Sequence, residues 1–160
     1  MQLFKLTAFS LLLSAAVIGF SSCEKSEELK KNSQYEKTDI PMTGAQVVPV
    51  SASPALGKLT VYYVKNTGIM SYRFSWSGLT GNPTGIGIYG LAPVGYAVSP
   101  TTPVQVISTT GLTANGSYSG NLTVDGVVVK EQDVLNGLYY VMIRTAANPA
   151  GEIRAQVKFQ

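Results

Sequence analysis

From Ile40 onward, apolar and polar residues alternate in short runs separated by Gly, Pro, Asn and Asp, the period of half-buried β-strands. Lys58-Leu59-Thr60-Val61-Tyr62-Tyr63-Val64 and Ile69-Met70-Ser71-Tyr72-Arg73-Phe74-Ser75-Trp76 flank Asn66-Thr67-Gly68, so they form a hairpin with a glycine-containing turn. In its second strand Met70, Tyr72, Phe74 and Trp76 share the core-facing side, opposite Ser71, Arg73 and Ser75. Further strands are expected over 85–89, 104–109, 116–124, 138–145 and 152–159, and one short helix over 131–136, stopped by Gly137. Strands this short and this often punctuated predict an all-β domain over 41–160, an antiparallel Greek-key (immunoglobulin-like) β-sandwich of roughly 7–9 strands with at most one short helix.

The last hairpin carries the most chemistry. Tyr139, Val141 and Ile143 face one way and Tyr140, Met142 and Arg144 the other. After Asn148-Pro149-Ala150-Gly151, the return strand sets Ile153, Ala155 and Val157 against Glu152, Arg154 and Gln156. Both apolar sets must lie on one face, so the other gathers Tyr140, Arg144, Glu152, Arg154 and Gln156. Two readings stand. An arginine fork there binds carboxylate or sulfate bidentately, or the face is solvated and its cross-strand pairs contribute about 0.2–1 kcal/mol each. Tyr89, Tyr140 and Arg144 are also residue types enriched at interaction hot spots. Exposure separates the cases: an open patch of Tyr89, Tyr140 and Met142 favours a partner surface, a covered one is packing.

The N-terminus has a different pattern. Lys5 precedes an apolar run from Leu6 to Phe20, too short to span a bilayer as a helix but suited to a signal peptide. The run ends in Phe20-Ser21-Ser22-Cys23, which resembles the bacterial lipobox, with Phe20 where leucine is usual and Ser22 in the place of glycine or alanine. Serine there is familiar in lipoproteins of the Bacteroidota. The expectation is a signal peptide over 1–22 and lipid attachment at Cys23, where two acyl chains hold a protein stably on a membrane. The alternative is a secreted protein with an incidental thiol. The polar stretch 23–40 is expected as a flexible tether; its acidic start resembles a surface-export signal, and a plain periplasmic linker fits it equally.

Composition narrows the chemistry. The 160-residue chain is 45% hydrophobic and only 13% charged, enough for one domain with a real core. It has no histidine and one cysteine, so Ser-His-Asp and Cys-His machinery, imidazole metal ligands and an internal disulfide are excluded. The net charge of +3 is scattered singly, so no nucleic-acid partner is expected.

The segment 140–156 reads YVMIRTAANPAGEIRAQ and resembles the closing signature of the CHRD domain, found in chordin and in bacterial secreted proteins. Met42-Thr43-Gly44-Ala45-Gln46-Val47-Val48-Pro49-Val50 is similar to its opening motif, and Tyr72 through Gly78-Leu79-Thr80 to its central strand. The resemblance implies histidines at three positions occupied here by Gly87, Tyr89 and Arg144, and an asparagine where Met142 stands. A divalent-metal site is therefore not expected, nor any other cofactor. It also implies an extracellular interaction module. The functional expectation is a non-enzymatic lipoprotein of the cell envelope, anchored through Cys23 on the outer membrane, facing the periplasm or the cell surface. The patch Tyr89, Tyr140, Arg144, Glu152 and Arg154 would meet an envelope protein or extracellular polymer. The alternative is an accessory subunit of an envelope complex; a hydrolase or a metal-binding protein is less favoured, since no carboxylates share a recognisable motif.

Overall fold

The computed structural model describes residues 33–159; the leader, Cys23 and the first part of the expected tether lie outside the described residues. Eight strands run through residues 34–159: β1 Gln34–Thr43, β2 Leu56–Val64, β3 Ile69–Ser77, β4 Pro83–Tyr89, β5 Gln105–Ile107, β6 Gly116–Thr123, β7 Tyr140–Thr145 and β8 Ile153–Gln156, with one helix, α1 Glu131–Leu135. Every expected strand is present, and the 58–76 hairpin pairs Leu59 with Phe74 and Val61 with Tyr72, as its alternation requires.

Two expectations are corrected. The pattern predicts a two-sheet immunoglobulin-like sandwich, but hydrogen bonding joins all eight strands into one antiparallel sheet, ordered β5-β4-β7-β8-β1-β2-β3-β6. The sheet coils until its edges almost meet. Gln105 of β5 accepts a hydrogen bond from the Tyr72 hydroxyl (3.1 Å) and donates to the Asn121 carbonyl of β6 (3.0 Å), so the seam of a near-barrel is bridged by one side chain. Register irregularities at Lys37/Ile40 and Pro83/Gly85 bend β1 and β4. Such bulges increase local twist and let one sheet curl where alternation alone reads as two. The second correction concerns the tether: residues 34–40 form the first part of β1, paired with β2 from Gln34↔Val64 onward.

The barrel is filled from the inner faces of all its strands, with Leu59, Val61, Tyr72, Phe74, Trp76, Ile86, Ile88, Val141, Ile143, Ile153 and Ala155 among the buried set. Trp76 is core, its indole N–H donating to the Thr113 carbonyl (2.9 Å). Helix α1 is tied to the sheet through Glu131, which accepts from the Tyr63 hydroxyl (2.9 Å) and pairs with Lys65 (2.9 Å).

Candidate functional site

The outer faces of β4, β7 and β8 are covered. The segment 90–104 folds back over them, and Tyr89, Ala92, Tyr140, Met142 and Val47 form a second small core with Val98 packed against it. Tyr89 and Tyr140 stack at 5.3 Å between centroids. The Tyr140 hydroxyl accepts from the Val98 amide (3.2 Å), and the Ala92 amide donates to Leu138 O (2.9 Å). The expected patch is therefore neither an open apolar surface nor a solvated face. Of the apolar run 91–98 only Ala92 is buried and Val98 half-buried; the cover is held largely through its backbone groups, which leave no signal in the pattern of side chains.

Beneath the cover, Arg154 is almost completely buried. Its guanidinium donates to Tyr96 O (2.6 Å), to Pro93 O (3.5 Å) and to Gln156 Oε1 (2.6 Å), and stacks 3.6 Å from the Tyr140 ring centroid. Gln156 in turn donates to Ala92 O (2.9 Å) and Gly137 O (2.6 Å). Burial pushes the Arg154 pKa down, and Tyr140 partly offsets it. Cation–π contact and carbonyl acceptors replace the water the charge has lost. Arg154 thus pins the cover to the sheet.

Glu152 forms a separate network at the end of the barrel. Its Oε1 accepts from the Ser53 hydroxyl (2.7 Å) and the Thr80 amide (2.7 Å), its Oε2 from the hydroxyls of Thr80 (2.8 Å) and Thr145 (2.5 Å). Asn148 adds a bond to the Thr80 hydroxyl (3.2 Å). Burial alone would raise the carboxyl's pKa, but the hydrogen bonds from Thr145, Ser53 and Thr80 outweigh it and hold it below the usual carboxylate range. All four acceptor sites of the carboxylate are taken up by donors from the β1–β2 and β3–β4 connections and β7. Sequence reasoning placed Glu152 on a solvated or ligand-facing side; the missed partners Ser53 and Thr80 lie 99 and 72 residues away along the chain.

Arg144 alone of the five expected residues reaches an opening. It lines a cleft of about 370 Å³ whose walls are Thr84, Gly85 and Ile86 of β4, Val106 and Ile107 of β5, the Ser108-Thr109-Thr110 run that follows, and Thr101 and Pro103 of the cover. Its guanidinium lies flat against Gly85, where a Cβ would come within 2.4 Å of Nη2 and 2.8 Å of Nε. A side chain at that position would displace the guanidinium, so the absence of a Cβ at Gly85 is what lets the arginine lie where it does. The Arg144 Nε is shielded from solvent without a hydrogen-bond partner, and among the described residues no carboxylate pairs with it; the ion pairs there are Lys58–Asp39 and Lys65–Glu131.

The three positions at which histidines are implied do converge. Tyr89 packs over Gly87, where a Cβ would meet Pro103 Cβ at 2.9 Å and Tyr89 Cε2 at 3.1 Å. Burial pushes the Tyr89 phenol above its ordinary pKa, and the adjacent Arg144 guanidinium partly offsets this. A phenol and a pyrrolidine ring thus occupy the space above Gly87, and a guanidinium closes the same corner. Among the described residues no three His, Cys, Asp or Glu side chains gather in one place.

No curated protein and no solved structure matches the chain. The family model of the CHRD domain matches residues 38–157, which takes in every strand from β2 to β8 and most of β1. Segments that resemblance had linked only by sequence order, the central Leu79-Thr80 and the closing Glu152, meet here in one hydrogen-bond network; the chain belongs to the CHRD domain family.

Proposed function

We propose that the protein is a non-catalytic binding module of the bacterial cell envelope, acylated at Cys23 and presenting its CHRD domain through the Arg144 cleft. The observation that carries the binding half is the cleft's charge. Its one charged side chain is a guanidinium, which offers donors in a fixed fork, chemistry suited to holding an anion. The anchoring half rests on the apolar run 6–20 followed by Ser21-Ser22-Cys23, which resembles the lipoprotein signals of the Bacteroidota. Two acyl chains there give stable membrane attachment, with a short polar segment before β1 as the spacer. Metabolic labelling with a palmitate analogue in a Bacteroidota host tests it. Label on the wild-type chain, lost in Cys23→Ala, supports the anchor; an unlabelled wild-type chain overturns it.

A second reading, an accessory subunit of an envelope complex, draws on the tip of the cover, where Leu91, Val94 and Tyr96 are 54%, 58% and 68% exposed. Apolar side chains grouped at the tip of one segment suit a protein partner. Crosslinking on intact cells, comparing wild type with Tyr96→Ser, supports this reading if a discrete product depends on Tyr96.

A further inference from the structure

We propose that the Arg144 cleft takes a carboxylate carried on a hydroxyl-rich ring, that is, an acidic sugar. The inference names a ligand class for the binding module above and rests on its binding half alone.

The argument begins with the contrast between two arginines on neighbouring strands. Arg154 spends its guanidinium inside the protein, on two backbone carbonyls, a glutamine and an aromatic face. Arg144 stands across from Gly85, packed flat on its backbone, with a shielded Nε that has no partner and no carboxylate of the described residues beside it. An unsatisfied shielded donor on a charged group is costly. A ligand does not reach that shielded Nε, but the part of the guanidinium that lines the cleft has only the Tyr89 phenol beside it and can take a partner that arrives from outside. A planar carboxylate matches a guanidinium edge with two parallel hydrogen bonds.

The rest of the cleft favours a sugar acid over a bare or multivalent anion. It offers one cation and no lysine, enough to neutralise a single negative charge. Its rim carries the hydroxyls of Thr84, Thr101, Ser108, Thr109 and Thr110. Ser108 already donates to Thr110 (3.2 Å) and Thr101 shares a bond with Ser99 (2.8 Å), and the remaining capacity of the five to donate and accept is the pairing that ring hydroxyls require. Pro103 and the exposed Val106 supply apolar surface for the C–H face of a ring. A volume of about 370 Å³ lies at the lower end of small-molecule sites.

Isothermal titration of the detergent-solubilised full chain, with sodium galacturonate, with galactose and with a galacturonate trimer, tests the proposal. The expected result is saturable galacturonate binding with Kd on the order of 1 mM or tighter, and at least tenfold weaker binding of galactose. Arg144→Gln should abolish it. Val106→Glu, at a position 76% exposed and therefore tolerant, should do the same by setting a competing carboxylate on the rim. A trimer that binds more tightly than the monomer identifies a polysaccharide as the source, and equal affinity identifies the free acid. Galactose binding as well as galacturonate, no saturation by the acid, or undiminished binding in folded Val106→Glu each overturns the proposal. Palmitate labelling reads the anchor separately, so failure of either half is distinguishable.

Discussion

Replacing Glu152 by alanine or by glutamine asks what a buried carboxylate without a cation contributes. Four donors converge on it: the Ser53 hydroxyl, the Thr80 amide, and the hydroxyls of Thr80 and Thr145. In Glu152→Ala the hydroxyls can turn toward one another, since Thr80 and Thr145 already lie 3.1 Å apart, but the Thr80 amide cannot rotate and loses its acceptor. An orphaned donor costs about 1–3 kcal/mol, and the space vacated by the carboxyl arm adds a further cavity cost, so a loss of about 3–4 kcal/mol follows. In Glu152→Gln the amide oxygen can stay on Thr80 N and Ser53 while its NH₂ donates to hydroxyls that reverse their roles. Only the charge assistance is lost, about 1–2 kcal/mol. Urea denaturation of both variants gives the two values, and for a domain of this size the alanine change corresponds to a fall in Tm on the order of 10–20 °C. The pH dependence has a fixed sign. A carboxyl held below its ordinary pKa contributes fully above the unfolded value, about 4.3, and its contribution disappears as pH falls through the lower folded value. Wild type should therefore lose its advantage over Glu152→Gln on acidification. Alanine and glutamine variants of equal stability, or a wild-type advantage that grows below pH 4, would refute the network as the cause.

Arg154→Met should leave global stability within about 2 kcal/mol, because a hydrophobe of similar length can replace a buried charge at little cost, while the tip of the cover loosens. Hydrogen exchange at the Tyr96 amide, bonded to Pro93 O (3.1 Å), should quicken at least tenfold while the Ala92 amide, held by Leu138 O, keeps its protection; unchanged Tyr96 protection contradicts the pinning role. Gly87→His should destabilise by about 1–3 kcal/mol through overpacking against Pro103 and Tyr89. Adding Tyr89→His should recover part of that loss, since the two positions share one space. Thermal melts of both singles and the double measure the coupling, and strict additivity counts against the shared-space account.

Most of the strands were legible because each presents an apolar face to the barrel interior. Met70, Tyr72, Phe74 and Trp76 are all buried as their alternation demands, and the turn after Val64 falls where Asn66-Thr67-Gly68 places it. The first half of β1 was not legible. Gln34, Glu36, Lys37, Thr38 and Asp39 are exposed, and this half is held by backbone pairing to β2 and by Tyr35, whose ring stacks on Tyr63 (6.2 Å) and meets Phe159 edge-on (5.9 Å). Composition reads such a segment as tether, because the groups that stabilise it are peptide bonds and one aromatic side chain. Closure into one sheet was hidden for a related reason: bulges and a bridging Gln105 leave no periodic trace.

The candidate site was legible in its residues and not in its geometry. Tyr140, Arg144, Glu152 and Arg154 do leave the barrel interior on the side that alternation assigns them, but a period of two states only that a side chain points away from one core. It cannot state whether a second layer waits on the other side. Here one does over Tyr140 and Arg154, formed by the 90–104 cover. Thr145 and Glu152 are enclosed by connections at the barrel end. Arg144 lies where the cover meets β5, and there the wall becomes hydroxyl-rich and opens. The same outward pattern on two strands thus yields a clamp at Arg154, a lock at Glu152 and an unfilled fork at Arg144. Their distinction lies in which residues from distant parts of the chain arrive to satisfy them, so the arginine that meets no carbonyl or carboxylate is the one to which a ligand should be offered.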